Sequence, residues 1–160
     1  MRGELVMRAR TFGIATLLLL LMGVLIKAQI NGKHRWGSFR VGSWAELQTV
    51  ANDGHGSPTF TKWTLVELKP DAAVVHAQIR RNGAVLAEQD VPFPIPERGK
   101  NTADRNINDT FVFKGRQFSC IRREYDSEKV TLWECPEIPG FLVKTMSATQ
   151  TTTLVDYEAK

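Results

Sequence analysis

The two cysteines, Cys120 and Cys135, constrain the fold of this chain more than any other feature. They lie on either side of a polar segment, residues 125–129, whose side chains favour a turn between two strands. If the turn is centred between Ser127 and Glu128, residues whose numbers add to 255 lie opposite each other, and the two cysteines meet that condition. The pattern therefore predicts a hairpin with the two thiols facing each other.

A disulfide would fit this hairpin. Residues opposite each other on an antiparallel pair have Cβ atoms about 4.5–5.5 Å apart, close to the separation that a disulfide needs. A bridge between Cys120 and Cys135 would close a loop of about 15 residues and stabilise the fold by on the order of 3 kcal/mol. The same register places Arg122 opposite Trp133, where the guanidinium would lie over the indole ring. The alternative is two buried free cysteines in one hairpin.

The N-terminal segment has the pattern of an export signal. Arg2, Arg8 and Arg10 precede an uncharged run of sixteen residues, 11–26. As a helix this run would be about 24 Å long, which is shorter than the roughly 30 Å hydrocarbon core of a membrane. We therefore predict that residues 1–28 form a helical signal peptide, cleaved after Ala28. The alternative is an uncleaved membrane anchor through residues 11–26.

Export would place the protein in an oxidising compartment and would remove much of its net positive charge. A protein that is secreted or periplasmic meets an oxidising environment, in which the predicted disulfide can form. The whole chain carries a net charge of +4, but residues 1–28 contain four of the 21 basic residues and one of the 17 acidic ones. The remainder, 17 basic against 16 acidic residues, is +1. Such a small charge gives no support for nucleic-acid binding.

The rest of the chain has the pattern of one mainly β domain. We divide it into a leader, residues 29–42, and a single β domain, residues 43–160. Eight or nine short strands joined by local turns predict an antiparallel meander that forms a curved sheet or an open barrel. The first strand is predicted at residues 43–50, although the spacing of Trp44, Leu47 and Val50 also fits a short helix.

Turn residues place several of the hairpins. Asn82-Gly83 lies between two alternating runs and predicts a tight turn, with Ile79 opposite Leu86. A second tight turn is predicted at Lys114-Gly115. Prolines at every second position of residues 92–96 indicate an edge or a connector, since proline cannot donate to a ladder. The polar residues 97–109 are predicted to form a long exposed loop.

The chain contains no recognisable catalytic motif. His34, His55 and His76 are the only histidines, but we place them in a leader, a loop and a strand, so we predict no metal site. The cysteines lack the close spacing of redox catalysts. The carboxylates near the cysteine hairpin alternate with basic residues, as on a solvated face. We therefore predict no catalytic residue, no cofactor and no enzymatic activity.

Three segments carry a resemblance to a known group of proteins. They are Gly42-Ser43-Trp44, residues 114–120 and residues 132–144. Together they resemble a pattern seen in exported bacterial β-sheet proteins of uncharacterised function, in which a cysteine strand leads to a tryptophan strand and a Pro-Gly link. In those proteins a serine often stands where this chain has Cys135. More remotely, the predicted meander is similar in fold to the half-barrel carriers of lipoproteins and lipids, whose concave face holds acyl chains.

Two functions are consistent with these features. The first is a non-catalytic binding module for a hydrophobic ligand or a lipid, held in a groove of the curved sheet by Trp44, Trp63 and Trp133. This function predicts an apolar groove of more than a few hundred Å2. The second is a structural or interaction protein of the cell envelope, with its aromatic residues in a closed core and its partners met along a sheet edge.

Overall fold

The computed structural model of the protein describes residues 34–95 and 103–160. Within these residues nine strands form one antiparallel sheet, and no helix is present. The strands are β1 (Trp44–Ala51), β2 (Thr59–Leu68), β3 (Ala72–Arg81), β4 (Ala84–Pro94), β5 (Arg105–Phe113), β6 (Arg116–Tyr125), β7 (Val130–Glu134), β8 (Leu142–Met146) and β9 (Gln150–Glu158). The predicted signal segment lies outside the described residues.

The strands follow each other as two meanders that meet in the middle of the sheet. Their order is β4-β3-β2-β1-β9-β8-β7-β6-β5. Among the described residues β4 and β5 are the two edges, so the sheet is open. Phe93 of β4 and Tyr125 of β6 nevertheless belong to one buried cluster. The sheet therefore curls around this face, which we call the inner face. The predicted open antiparallel meander is confirmed.

Both predicted tight turns are present. The central residues of each have positive φ, 52° and 78° at Asn82-Gly83 and 48° and 77° at Lys114-Gly115. Two successive positive φ angles define the type I′ turn, which matches the twist of the flanking strands. The predicted pairing of Ile79 with Leu86 is wrong. A register shift between Ile79 and Arg80 adds one residue to β4, so that Ile79 lies opposite Ala87.

Two further local predictions can be compared with the strands. Residues 44–51 form a strand, so the helical alternative for this segment does not occur. The prolines at 92 and 94 lie in the edge strand β4, as their missing N–H groups require. Residues 105–109, predicted as loop, belong instead to β5. Their polar side chains are compatible with a strand because an edge strand is largely exposed to solvent.

Residues 34–42 fall in the predicted leader and are packed against the sheet. Trp36 is only 2% exposed. The carbonyl of Arg35 accepts a hydrogen bond from the Gly140 N–H at 3.0 Å, and the Gly42 N–H donates to the Leu65 carbonyl at 2.8 Å. This part of the chain therefore closes one side of the core. Residues 29–33 lie outside the described residues.

Two clusters of buried apolar side chains make up the core. The first lies on the inner face and includes Trp36, Leu47, Trp63, Val75, Phe93 and Leu132. The second surrounds the cysteines and includes Phe118, Ile138, Val143 and Leu154. It forms where the β5–β6 hairpin extends beyond the shorter strand β7. There Phe113 contacts Tyr157 of β9, with 5.9 Å between ring centroids.

Candidate functional site

The structure confirms the predicted hairpin and its disulfide. Strands β6 and β7 pair in the predicted register, with Arg122 opposite Trp133. Cys120 and Cys135 are joined by a disulfide and are 4% and 0% exposed. The predicted stacking of Arg122 on Trp133 is wrong, because the guanidinium turns to the carboxylate of Glu124 at 3.1 Å. The cation over the Trp133 ring is Lys144, whose Nζ lies 4.8 Å from the ring centroid.

The three tryptophans predicted to line a groove do not share one face of the sheet. Trp63 lies opposite Ala45, while Trp44, the neighbour of Ala45 in sequence, points to the other face. Trp133 lies opposite Lys144, and the same row continues to Gln48 on the face of Trp44. The sheet thus separates Trp63 on the inner face from Trp44 and Trp133 on the outer face.

Trp63 is part of a tightly packed aromatic group. It contacts Phe93 in an edge-on arrangement with 6.3 Å between ring centroids. Phe93 in turn contacts Trp36 at 6.4 Å. The cavity beside them, lined by Arg35, Trp36, Leu47, Trp63, Phe93 and Leu142, has a volume of about 10 Å3. Such a volume holds about one water molecule.

The interior also contains charged side chains. Glu134 is 2% exposed and accepts a hydrogen bond from Arg123 Nε at 2.5 Å. Its other oxygen lies 3.7 Å from the guanidinium of Arg35, which is 1% exposed. Arg123 also donates to the side-chain oxygen of Asn106 at 3.1 Å. These contacts tie β5, β6 and β7 to residues 34–42, and removing one partner of such a buried pair is costly.

The two outer tryptophans are each held by a cation and a carboxylate. Trp44 Nε1 donates to Glu158 at 3.0 Å, and Lys62 Nζ lies 4.0 Å from its ring centroid. Trp133 Nε1 donates to Asp109 at 2.9 Å. Both rings therefore have their polar N–H satisfied at the surface. They are placed as parts of two surface networks, separated from the cavity by the sheet.

Asp109 joins the Trp133 network to the edge strand β5. The backbone N–H of Thr110 donates to it at 2.7 Å, and Nη1 of Arg122 lies 3.5 Å away. These donors, the Thr110 N–H first and the Trp133 indole second, hold the pKa of Asp109 below its ordinary value. At neutral pH the carboxylate is charged and acts as an acceptor.

The histidines lie in separate parts of the fold. Nδ1 of His34 accepts a hydrogen bond from the Gly37 N–H at 2.8 Å, which makes it part of a local turn. His76 lies on β3 and contacts Asp90 of β4 at 2.8 Å. His55 lies in the exposed β1–β2 loop. Within residues 34–95 and 103–160, no group of three or more histidine, cysteine or acidic side chains is arranged to hold a metal ion.

The feature that sequence reasoning missed is the edge strand β5. Its first half was predicted as loop, yet it pairs with β6 over nine consecutive residues without a register shift. The Lys114-Gly115 turn was the available signal, because continuing its register backwards predicts this strand.

The β5 edge has a defined hydrogen-bonding direction. Phe113 and Arg116 flank the two-residue turn and form the hydrogen-bonded pair that closes it. Because such pairs alternate along an antiparallel ladder, the N–H and carbonyl groups of every second residue point away from β6. These residues are Asn106, Asn108, Thr110 and Val112.

Comparisons with known proteins do not add to this geometry. No protein-family model matches the chain, and neither the curated proteins nor the solved structures include a match. The described residues contain no helix with the length and apolar character needed to cross a membrane.

Proposed function

We propose that this protein is a non-catalytic interaction protein of the cell envelope or the extracellular space, which meets its partner through the sheet. The observation that carries the proposal is the filled inner face. Trp36, Trp63 and Phe93 pack against one another there and leave a cavity of about 10 Å3. Pockets that hold small organic ligands have volumes of about 300 Å3 or more.

The charges in the interior also favour an interaction protein over a lipid carrier. Arg35, Arg123 and Glu134 lie in the same interior as the aromatic group. An acyl chain inserted beside them would take the place of polar contacts that these buried charges need. The interior is thus suited to holding the sheet in shape.

Two observations support the extracytoplasmic setting of the proposal. The basic and apolar segment at residues 2–26 has the pattern of an export signal. The disulfide between Cys120 and Cys135 is of the kind that persists in oxidising compartments.

Native mass spectrometry of the chain purified from the exported fraction of its host tests the proposal. We expect the mass of the polypeptide, alone or in a protein assembly, with no small molecule bound. A bound mass of several hundred daltons that is released on denaturation would show a carrier and refute the proposal. The denatured mass also shows whether residues 1–28 have been removed.

A further inference from the structure

The two edges of the sheet differ in their protection against further strand pairing. Edge strand β4 contains prolines at 92 and 94, the charged residues Glu88 and Asp90, and a register shift against β3. Prolines, charges and bulges are the devices by which natural sheets prevent pairing at an edge. The β4 edge is therefore a poor template for another strand.

Edge strand β5 has none of these devices over residues 106–113. It has no proline and no register shift, and Asp109 is its only charged residue. The Asp109 side chain is directed to Trp133 and Arg122 of the neighbouring strands. Val112 is 65% exposed, the largest value among the exposed large apolar side chains of the described residues. A long, regularly paired and nearly uncharged edge of this kind is a template for a further strand.

The backbone groups that such a strand would use are those of Asn106, Asn108, Thr110 and Val112, which point away from β6. The side chains of all four residues are exposed, so the edge is open to solvent along its length. The Thr110 N–H donates to the exposed carboxylate of Asp109 at 2.7 Å. A pairing strand would exchange that local contact for a backbone carbonyl.

We infer that two copies of this chain pair through their β5 strands, antiparallel and related by a two-fold axis. Only one edge of each sheet is suited to pairing, so a head-to-tail chain of β5 against β4 is disfavoured. An assembly in which the same strand meets itself closes at two copies. The inference rests on the proposed function, since it names the partner that the sheet edge takes.

The antiparallel pairing is also compatible with the charges of β5. With Thr110 opposite its own copy, Asn108 lies opposite Val112 and Ile107 opposite Phe113. This register places no two like charges opposite each other, a placement that destabilises strand pairs. Asp109 then lies opposite Phe111, on the face where Trp133 already binds its carboxylate.

Sedimentation of the purified chain over about 1 μM to 1 mM tests the inference. We expect a monomer that becomes a dimer as the concentration rises. Hydrogen exchange measured at both ends of the range should show which amides are covered. The amides of Asn108, Thr110 and Val112 should exchange more slowly in the dimer, whereas those of the alternate residues bond to β6 in both states. A chain that remains monomeric throughout overturns the inference, as does a dimer that leaves these three amides unprotected.

Two substitutions with a matched control identify the edge. Thr110→Pro removes an N–H that does not bond to β6, so the β5–β6 ladder is retained. Val112→Lys places a charge on the edge. Either change should weaken the dimer by about tenfold or more. Val85→Lys makes the same exchange at a 51% exposed valine of β4 and should leave the dimer unchanged.

Circular dichroism and the intact disulfide mass show that each variant is folded. If the folded variants Thr110→Pro and Val112→Lys dimerise as tightly as the unmodified chain, the assignment to β5 is wrong. The same native mass spectra separate this inference from the proposed function. A chain without ligand that also stays monomeric up to the highest concentration in sedimentation refutes the β5 pairing alone, whereas a chain with a bound small molecule refutes the interaction role.

Discussion

The contact between Gly140 and Trp36 leads to a prediction of a large loss of stability on a small substitution. Gly140 has φ +76°, and a Cβ added there would lie 2.7 Å from Cζ2 of Trp36. That distance is well inside van der Waals contact, and the indole is 2% exposed, so it has little room to move. Gly140→Ala therefore adds a steric clash to the cost of a left-handed backbone.

The two costs can be estimated separately. An alanine in the left-handed region costs about 1–2 kcal/mol, and forcing an extra methyl group into a packed core costs about 1–3 kcal/mol. Together they amount to roughly 2–5 kcal/mol of a folding free energy that is about 5–15 kcal/mol for a typical domain. At roughly 4 °C per kcal/mol, the melting temperature should fall by about 8–20 °C.

Gly115 provides a matched control. It has φ +77°, nearly the same backbone conformation, and a Cβ added there meets no atom within 4 Å. Gly115→Ala should therefore lose only the backbone part, about 1–2 kcal/mol. Thermal unfolding followed by circular dichroism measures both variants, and tryptophan fluorescence reports whether Trp36 becomes exposed. Equal losses in the two variants would refute the role assigned to the Trp36 contact.

Three further predictions concern the disulfide and two titrating groups. Replacing both Cys120 and Cys135 by serine, which opens a loop with a sequence separation of 15, should cost about 3 kcal/mol in urea unfolding; an unchanged midpoint would contradict it. The pKa of Asp109 is lowered, so its contribution to stability is present above its unfolded pKa and is lost as the pH falls through the folded value. Asp109→Asn should remove this part of the dependence of stability on pH and leave the remaining pH dependence unchanged. A carboxyl titration of Asp109 by NMR with a midpoint at or above the ordinary value would contradict the prediction. Burial first, and the charge of Glu134 second, raise the pKa of Tyr125 above 10.0, so the neutral phenol stabilises the fold below pH 10 and this contribution is lost as the pH rises through the folded value. An ultraviolet titration of the unmodified chain compared with Tyr125→Phe should show that the transition lost in the variant has its midpoint above 10.0, and a lost transition at or below 10.0 would argue against this.

The local pairings could be predicted from the sequence because they depend on residues that are close in the chain. The turns at Asn82-Gly83 and Lys114-Gly115 need positive φ angles that these residues tolerate, so each turn determines the register of its hairpin. The cysteine hairpin was predicted from the position of its turn and from the alternation of side chains between the two faces of a strand. The pairing of Ile79 was predicted wrongly because the turn alone was taken to determine the register. A bulge changes that register without a sequence signal that we recognised.

The candidate site could be predicted only in part. The disulfide pair was found from spacing, but the grouping of Trp44, Trp63 and Trp133 depended on which face each strand presents to the core. The face that each tryptophan occupies depends on its tertiary contacts. Trp63 packs against Phe93 on the inner face, while the outer tryptophans contact carboxylates and lysines. The start of β5 was missed because a polar edge strand and a polar loop have similar compositions.

The sequence by itself predicted that the chain is mainly β, where its tight turns lie and that Cys120 and Cys135 face each other across a hairpin, because these depend on φ preferences and on a period of two. Only the tertiary structure decided the strand order and the position of the second edge, β5. Strand β1 pairs with β9 across more than a hundred residues, with Trp44 opposite Glu158. No local preference specifies such a pairing, since it follows from burying the apolar side chains of the inner face together. The strand order places β4, with its prolines and charges, at one edge and the unprotected β5 at the other, where we infer that two copies of the chain meet.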